Sequence, residues 1–121
     1  MNAPAALLSV AEQLADSIAA LSADKFPAPV RARAEDLLID VAGLCVAARS
    51  TDYMRALIAG VDGGGTCSAL GHGGGFSAED AAMINGTAAH GEDFDDTFEG
   101  GPVHSGAVIV PAVLAACERF G

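Results

Sequence analysis

The sequence predicts an all-α fold, on three observations. Apolar residues recur at steps of three and four over residues 7–21 and again over 30–48, the period of one helical face. An alanine-rich run over 81–89 and an apolar run over 105–120 are each long enough for several turns. Strand signals are confined to residues 66–70, inside a glycine-rich segment, where a short strand or an extended linker both fit. The sum is four or five helices with little strand and no internal repeat.

In chain order, Leu7, Val10, Leu14, Ile18 and Leu21 mark the first helical face. Residues 22–28 break it. Pro29 suits the first turn of the next helix, whose apolar stripe runs through Val30, Ala34, Leu37, Leu38, Val41, Leu44, Cys45 and Ala48. Gly43 lies within this pattern at a cost of roughly 1 kcal/mol relative to Ala, and a close helix crossing would account for it. Asp40, beside the stripe, reads as a solvated edge. Ser50 or Thr51 can cap a third, shorter helix carrying Met54, Leu57, Ile58 and Val61. Ser77 followed by Asp80 resembles a capping box ahead of the alanine-rich helix. The last helix covers 105–120, but Val108, Ile109 and Val110 are β-branched and Pro111 interrupts, so its start is expected only at Pro111.

A chain of 121 residues supports one domain with a modest core. With 51% hydrophobic residues, disorder is excluded and some helix faces are expected to need cover from a partner or from further sequence. The expectation is therefore an incomplete helical domain over 1–121, the N-terminal part of something longer. Sixteen acids against six bases give a formal charge of −10, and no Lys or Arg lies between Arg55 and Arg119. That argues against nucleic acid and anionic membrane surfaces as partners. Cys45, Cys67 and Cys117 form no CxxC pair, which points to buried thiols in a reducing compartment. The N-terminus lacks the basic flank of a signal peptide and no apolar run spans a bilayer, so a cytoplasmic protein is expected.

Polar chemistry is concentrated over residues 85–111, which hold His90, Glu92, Asp93, Asp95, Asp96, Thr97, Glu99 and His104. Several readings compete. Asp93, Asp95 and Thr97 spell DxDxT, the nucleophile loop of haloacid dehalogenase-type phosphatases, but a helix precedes it here in place of a buried strand. His72 and the three glycines after it resemble an esterase oxyanion loop, without the GxSxG elbow it requires. The carboxylates over 92–99 could hold Ca²⁺ or Mg²⁺, yet the EF-hand spacing is absent and a solvated acidic loop explains them as well. Finally, Asp93, Thr97 and His104 could share one pocket, with the groups needed to move a proton beside a carbonyl or carboxylate. A histidine merely satisfied within a loop is the competing explanation.

A resemblance sharpens these readings. Leu38-Ile-Asp40-x-x-Gly43, Ala69-Leu-Gly71, the run NGTAAHGEDFDDT over 85–97 and HSGAVIVP over 104–111 occur in that order. Together they resemble the N-terminal part of the MmgE/PrpD family, which includes 2-methylcitrate dehydratase, cis-aconitate decarboxylase and iminodisuccinate epimerase. The resemblance implies a large helical domain with a smaller lid domain, in a longer and usually dimeric protein. It implies no metal and no organic cofactor. It implies action on small di- and tricarboxylates by proton abstraction, elimination, decarboxylation or epimerisation. Carried over, the site positions are Asp93, Thr97 and His104. Two departures, Phe98 where many members have His and Ser105 where many have Pro, put the substrate in doubt.

The reading is an enzyme portion with Asp93 as polar anchor or base, Thr97 bonding a substrate carboxylate or hydroxyl, and His104 exchanging a proton. The alternative is a non-catalytic helical module that completes a site with another chain. Expected partners are a small polycarboxylate and a second copy or complementary chain.

Overall fold

The structure, a computed structural model, describes residues 8–121. Among them are five helices: α1 (Val10–Ala19), α2 (Ala28–Ala48), α3 (Asp52–Ala59), α4 (Ala78–His90) and α5 (Ser105–Phe120). Sheet is absent among the described residues, and the only β pairing there is a single antiparallel bridge between Cys67 and Phe76. The all-α expectation holds, and within residues 66–70 only Cys67 forms a β bridge before the chain turns at Leu70.

The chain divides into two compact units, Met1–Ala32 and Arg33–Gly121. In the first, a capping box starts α1. The Glu12 amide donates to Ser9 Oγ, and the Ser9 amide donates to Glu12 Oε2 at 2.8 Å. The hydroxyl and amide of Ser9 together hold the Glu12 carboxyl below its usual range. Val10, Leu14 and Ile18 keep their helical spacing and Leu21 lies just past the end of the helix; all four are exposed, and α1 buries none of its residues. Leu7 lies outside the described residues.

In the second unit the core is built from small side chains. Val41, Cys45 and Ala48 of α2 meet Met54 of α3, Ala81, Ile84 and Ala88 of α4, and Ala107 and Ala115 of α5. The predicted stripe of α2 is buried only in its last turns, while Leu38 stays exposed. Gly43 is also exposed, and a Cβ there would meet nothing within 4 Å, so it marks no helix crossing. Two residues from both Val41 and Cys45, it is rotated about 200° from their face. Asp40 is exposed, as expected of an edge.

Thr51 occupies the N-cap of α3 without capping it; its hydroxyl donates instead to the Ala48 carbonyl at 2.9 Å. α2 ends three residues earlier, and its terminal carbonyls compete for the donor. The glycine-rich segment folds back on itself. Gly64 donates to the Gly75 carbonyl at 2.9 Å, and a Cβ on Gly65 would lie 1.8 Å from the Phe76 carbonyl oxygen, so only glycine permits this approach. Asn85 of α4 locks the following turn, accepting from the Leu70 amide at 2.7 Å and donating to the Ser68 carbonyl at 2.8 Å.

Ser77 caps α4 as the sequence implies, accepting from the Asp80 amide at 3.0 Å. α5, in contrast, begins at Ser105, six residues before its expected start, and carries Pro111 inside. Asp96 makes this possible by accepting from the Gly106 amide at 2.8 Å and the Ser105 hydroxyl at 2.7 Å. Pro111 has no N–H to offer the Ala107 carbonyl. That carbonyl instead faces Gly86 of α4, where a Cβ would come within 3.2 Å of it. α4 and α5 form the most extensive helix pair of the unit. Cys45 and Cys67 are buried, but Cys117 on the outer side of α5 is exposed, which corrects the expectation of three buried thiols. Among the described residues, no helix is long and apolar enough to cross a membrane.

Candidate functional site

The polar stretch folds into the loop joining α4 to α5, residues 91–104. α4 places His90 in its last turn. The chain then reverses: the Asp93 amide donates to the His90 carbonyl at 2.9 Å, and Asp93 takes φ 57°, a left-handed conformation that Asp tolerates better than most residues. After this turn the Asp93 side chain is 79% exposed, while that of Asp95, two residues on, is 0% exposed. A second turn, in which the Phe98 amide donates to the Val103 carbonyl at 2.9 Å, brings His104 to the start of α5. Asp96 anchors that start.

Asp95 lies between two imidazoles. His90 Nδ1 is 3.0 and 3.1 Å from its two carboxylate oxygens. His104 Nδ1 is 3.4 Å from Oδ1, in ion-pair range but without hydrogen-bond alignment, and this buried nitrogen has no other partner. The ring centroids are 4.8 Å apart at 59°. From the solvent side, Asp93 Oδ1 stands 3.9 Å from His104 Nε2. The hydrogen bond that His90 donates to Asp95, and then the charge of Asp95, hold the His90 pKa above the ordinary histidine value, with Asp93 adding to the effect.

Both rings line an open groove of about 640 Å³ between α4 and α5. Ala82, Met83, Gly86, Thr87, Gly91, Ala107 and Val108 complete its walls. The groove therefore has an apolar body and a polar end made of two imidazoles over a buried carboxylate. Such an end can donate to an anion, and it can take or return a proton. One donor atom from each of His90, Asp93, Asp95 and His104 lies within 4.8 Å of the others, a set that a divalent ion could draw together. Asp95, however, is already engaged by the His90 ring.

Of the residues singled out from the sequence, Asp93 and His104 come together. Thr97 does not join them: it is exposed, lies outside the groove wall, and makes only a 3.5 Å contact from its hydroxyl to the Asp95 carbonyl. Glu92, Asp93 and Glu99 are exposed as in a solvated acidic loop, but Asp95 is buried and Asp96 half-buried with a structural task. Sequence reasoning missed His90 and Asp95 as site residues. Their signal was the run NGTAAHGEDFDDT itself, in which a histidine ending a helix precedes a carboxylate by five residues.

The family model described as the MmgE/PrpD N-terminal domain matches residues 12–121. A cis-aconitate decarboxylase of Aspergillus terreus is 33% identical over 102 residues, covering 81% of this chain and 21% of its own length. The cis-aconitate decarboxylase-like protein oryM of Aspergillus oryzae is 27% identical over 113 residues, covering 91% of this chain and 23% of that protein. The chain thus spans only 21–23% of the length of these curated relatives. No solved structure matches it.

Proposed function

The chain belongs to the MmgE/PrpD family, and from that premise we propose that it supplies the His104 side of an active site that moves a proton on a small di- or tricarboxylate, without metal or organic cofactor. The observation that carries this reading is the placement of His104: its ring lines the groove, and its Nε2 lies 3.9 Å from Asp93. His104 is the proton carrier and Asp93 the polar group that orients it. Thr97 binds a substrate carboxylate or hydroxyl once substrate and the rest of the enzyme meet the exposed loop.

The names of the two Aspergillus relatives favour decarboxylation over dehydration or epimerisation. In decarboxylation the bond from carbon to the departing carboxylate breaks and its electron pair stays on carbon. His104 then delivers a proton to that carbon as CO₂ leaves. In dehydration or epimerisation the same imidazole removes a proton next to a carboxylate. Because no Lys or Arg lies between Arg55 and Arg119, most of the positive charge for a polycarboxylate comes from further residues of the enzyme or from a second chain. A homodimer and a cytoplasmic location fit an enzyme of this kind.

The test is to incubate the complete enzyme with a panel of di- and tricarboxylates, cis-aconitate included, in D₂O and follow each by NMR. Deuterium uptake or CO₂ release, lost in His104→Gln, is the expected result. A folded complete protein that neither labels nor consumes any member of the panel would overturn the reading.

A further inference from the structure

We propose that His90, held by the buried Asp95, is a carboxylate anchor of the groove, donating from Nε2–H to one carboxylate of the bound acid while His104 handles the proton. This rests on the reading that the groove takes a di- or tricarboxylate.

The groove walls leave few donors for an anion. Ala82, Met83, Gly86, Ala107 and Val108 offer no polar side chain, and no Lys or Arg is among the lining residues. His90 is differently placed from His104. Its Nδ1 is committed to both oxygens of Asp95, so Nε2 is the free nitrogen of the ring, and the side chain is 53% exposed. An imidazole fixed through one nitrogen presents the other in a set direction, which lowers the ordering cost of binding.

Three features favour the imidazolium form. Asp95 has a fully buried side chain, and a buried carboxylate is costly unless a cation or donors meet it. His90 lies in the last turn of α4, where the negative end of the helix dipole favours a cation. Its pKa is raised, first by the hydrogen bond it donates to Asp95 and then by that residue's charge. The titratable groups around the ring are Asp95 and Asp93 from the loop and His104 at the start of α5, while Tyr53 of α3 lies against the neighbouring Gly91. Since Asp95 cancels much of the charge of His90, the anchor acts as one directed, charge-assisted hydrogen bond. That suits a ligand that must leave again.

The experiment is calorimetric titration of the complete protein with tricarballylate, a tricarboxylate with no leaving group. His90→Gln should bind about tenfold to a hundredfold more weakly at about pH 6, the loss of one hydrogen bond to a charged group. The gap should narrow as pH rises and the wild-type ring gives up its proton. In Asp95→Asn the His90 Cε1–H resonance should titrate at lower pH, and the affinity gap should close at lower pH with it. Should Asp95→Asn fail to fold, His90→Gln at its half-exposed position still decides the matter. Loss of tricarballylate affinity in His90→Gln, in a protein that exchanges no substrate proton, supports the anchor while sinking the catalytic reading. Unchanged affinity and unchanged KM in His90→Gln, in an enzyme that turns over, overturns the anchor and leaves the catalytic reading standing. Failure of the wild type to bind tricarballylate at about pH 6 also overturns it.

Discussion

Asn85 is the most informative residue to perturb, because it ties the glycine-rich segment to the helix that ends in His90. It is 1% exposed and satisfies two backbone groups, the Leu70 amide at 2.7 Å and the Ser68 carbonyl at 2.8 Å. Asn85→Ala leaves both without partners. At ~1–3 kcal/mol for each buried group left unsatisfied, the loss is about 2–6 kcal/mol. Asn85→Asp gives a sharper test. An ionised carboxylate can still accept from Leu70 but sets an oxygen against the Ser68 carbonyl. A protonated carboxyl has one donor and one acceptor, as the amide does. The buried acid should therefore have a folded-state pKa above its unfolded value of about 3.9. A group shifted in that direction holds its proton more tightly when folded. Stability relative to wild type is then best below the unfolded pKa and declines as pH rises through the folded one. Urea denaturation of wild type and both variants at about pH 4 and about pH 8 should show a small Asn85→Asp penalty at the lower pH and an Ala-like penalty at the higher. A penalty for Asn85→Asp that is equal at the two pH values would refute the hydrogen-bond account. So would an Asn85→Ala penalty below about 0.5 kcal/mol.

Thr97→Val in the complete enzyme should lower turnover by roughly one to two decades if the hydroxyl bonds a charged substrate group; unchanged kinetics removes Thr97 from the site. Asp96→Ala should destabilise the protein by about 1–2 kcal/mol through loss of the α5 cap. Gly106→Ala, whose Cβ would sit 2.4 Å from Asp96 Oδ1 and 2.8 Å from Leu37 Cδ1, should cost about 1–3 kcal/mol. The double variant should lose less than the sum, since both act on one cap, and full additivity in urea denaturation would show the cap to be misassigned. With a thiol reagent at about pH 8, exposed Cys117 should react in the native protein. Cys45, buried and with its thiol pushed up to about 11, should react only on unfolding. Equal native rates for the two would contradict the packing of α2.

What the sequence determined by itself was everything with a short period or a local partner. The three- and four-residue spacings placed α1 and α2, and an alanine-rich run with Ser77 and Asp80 placed α4, because a cap needs only a residue three positions away. The concentration of polar residues between two apolar helices located the candidate site, and its motifs carried the family. Only the tertiary structure decided the rest, for reasons that cross the chain. The start of α5 moved from Pro111 to Ser105 because Asp96, nine residues earlier, supplies the missing cap. Gly43 turned out to face open space because the partner of α2 lies on the other side of the helix. Asp93 and Asp95 are the same residue type two positions apart, and nothing local distinguishes them. The left-handed turn at Asp93 leaves one carboxylate in water and buries the other between His90 and His104. Burial of a charge is set by what surrounds it in space, so which acid joins the two imidazoles followed from the packing of α4 against α5.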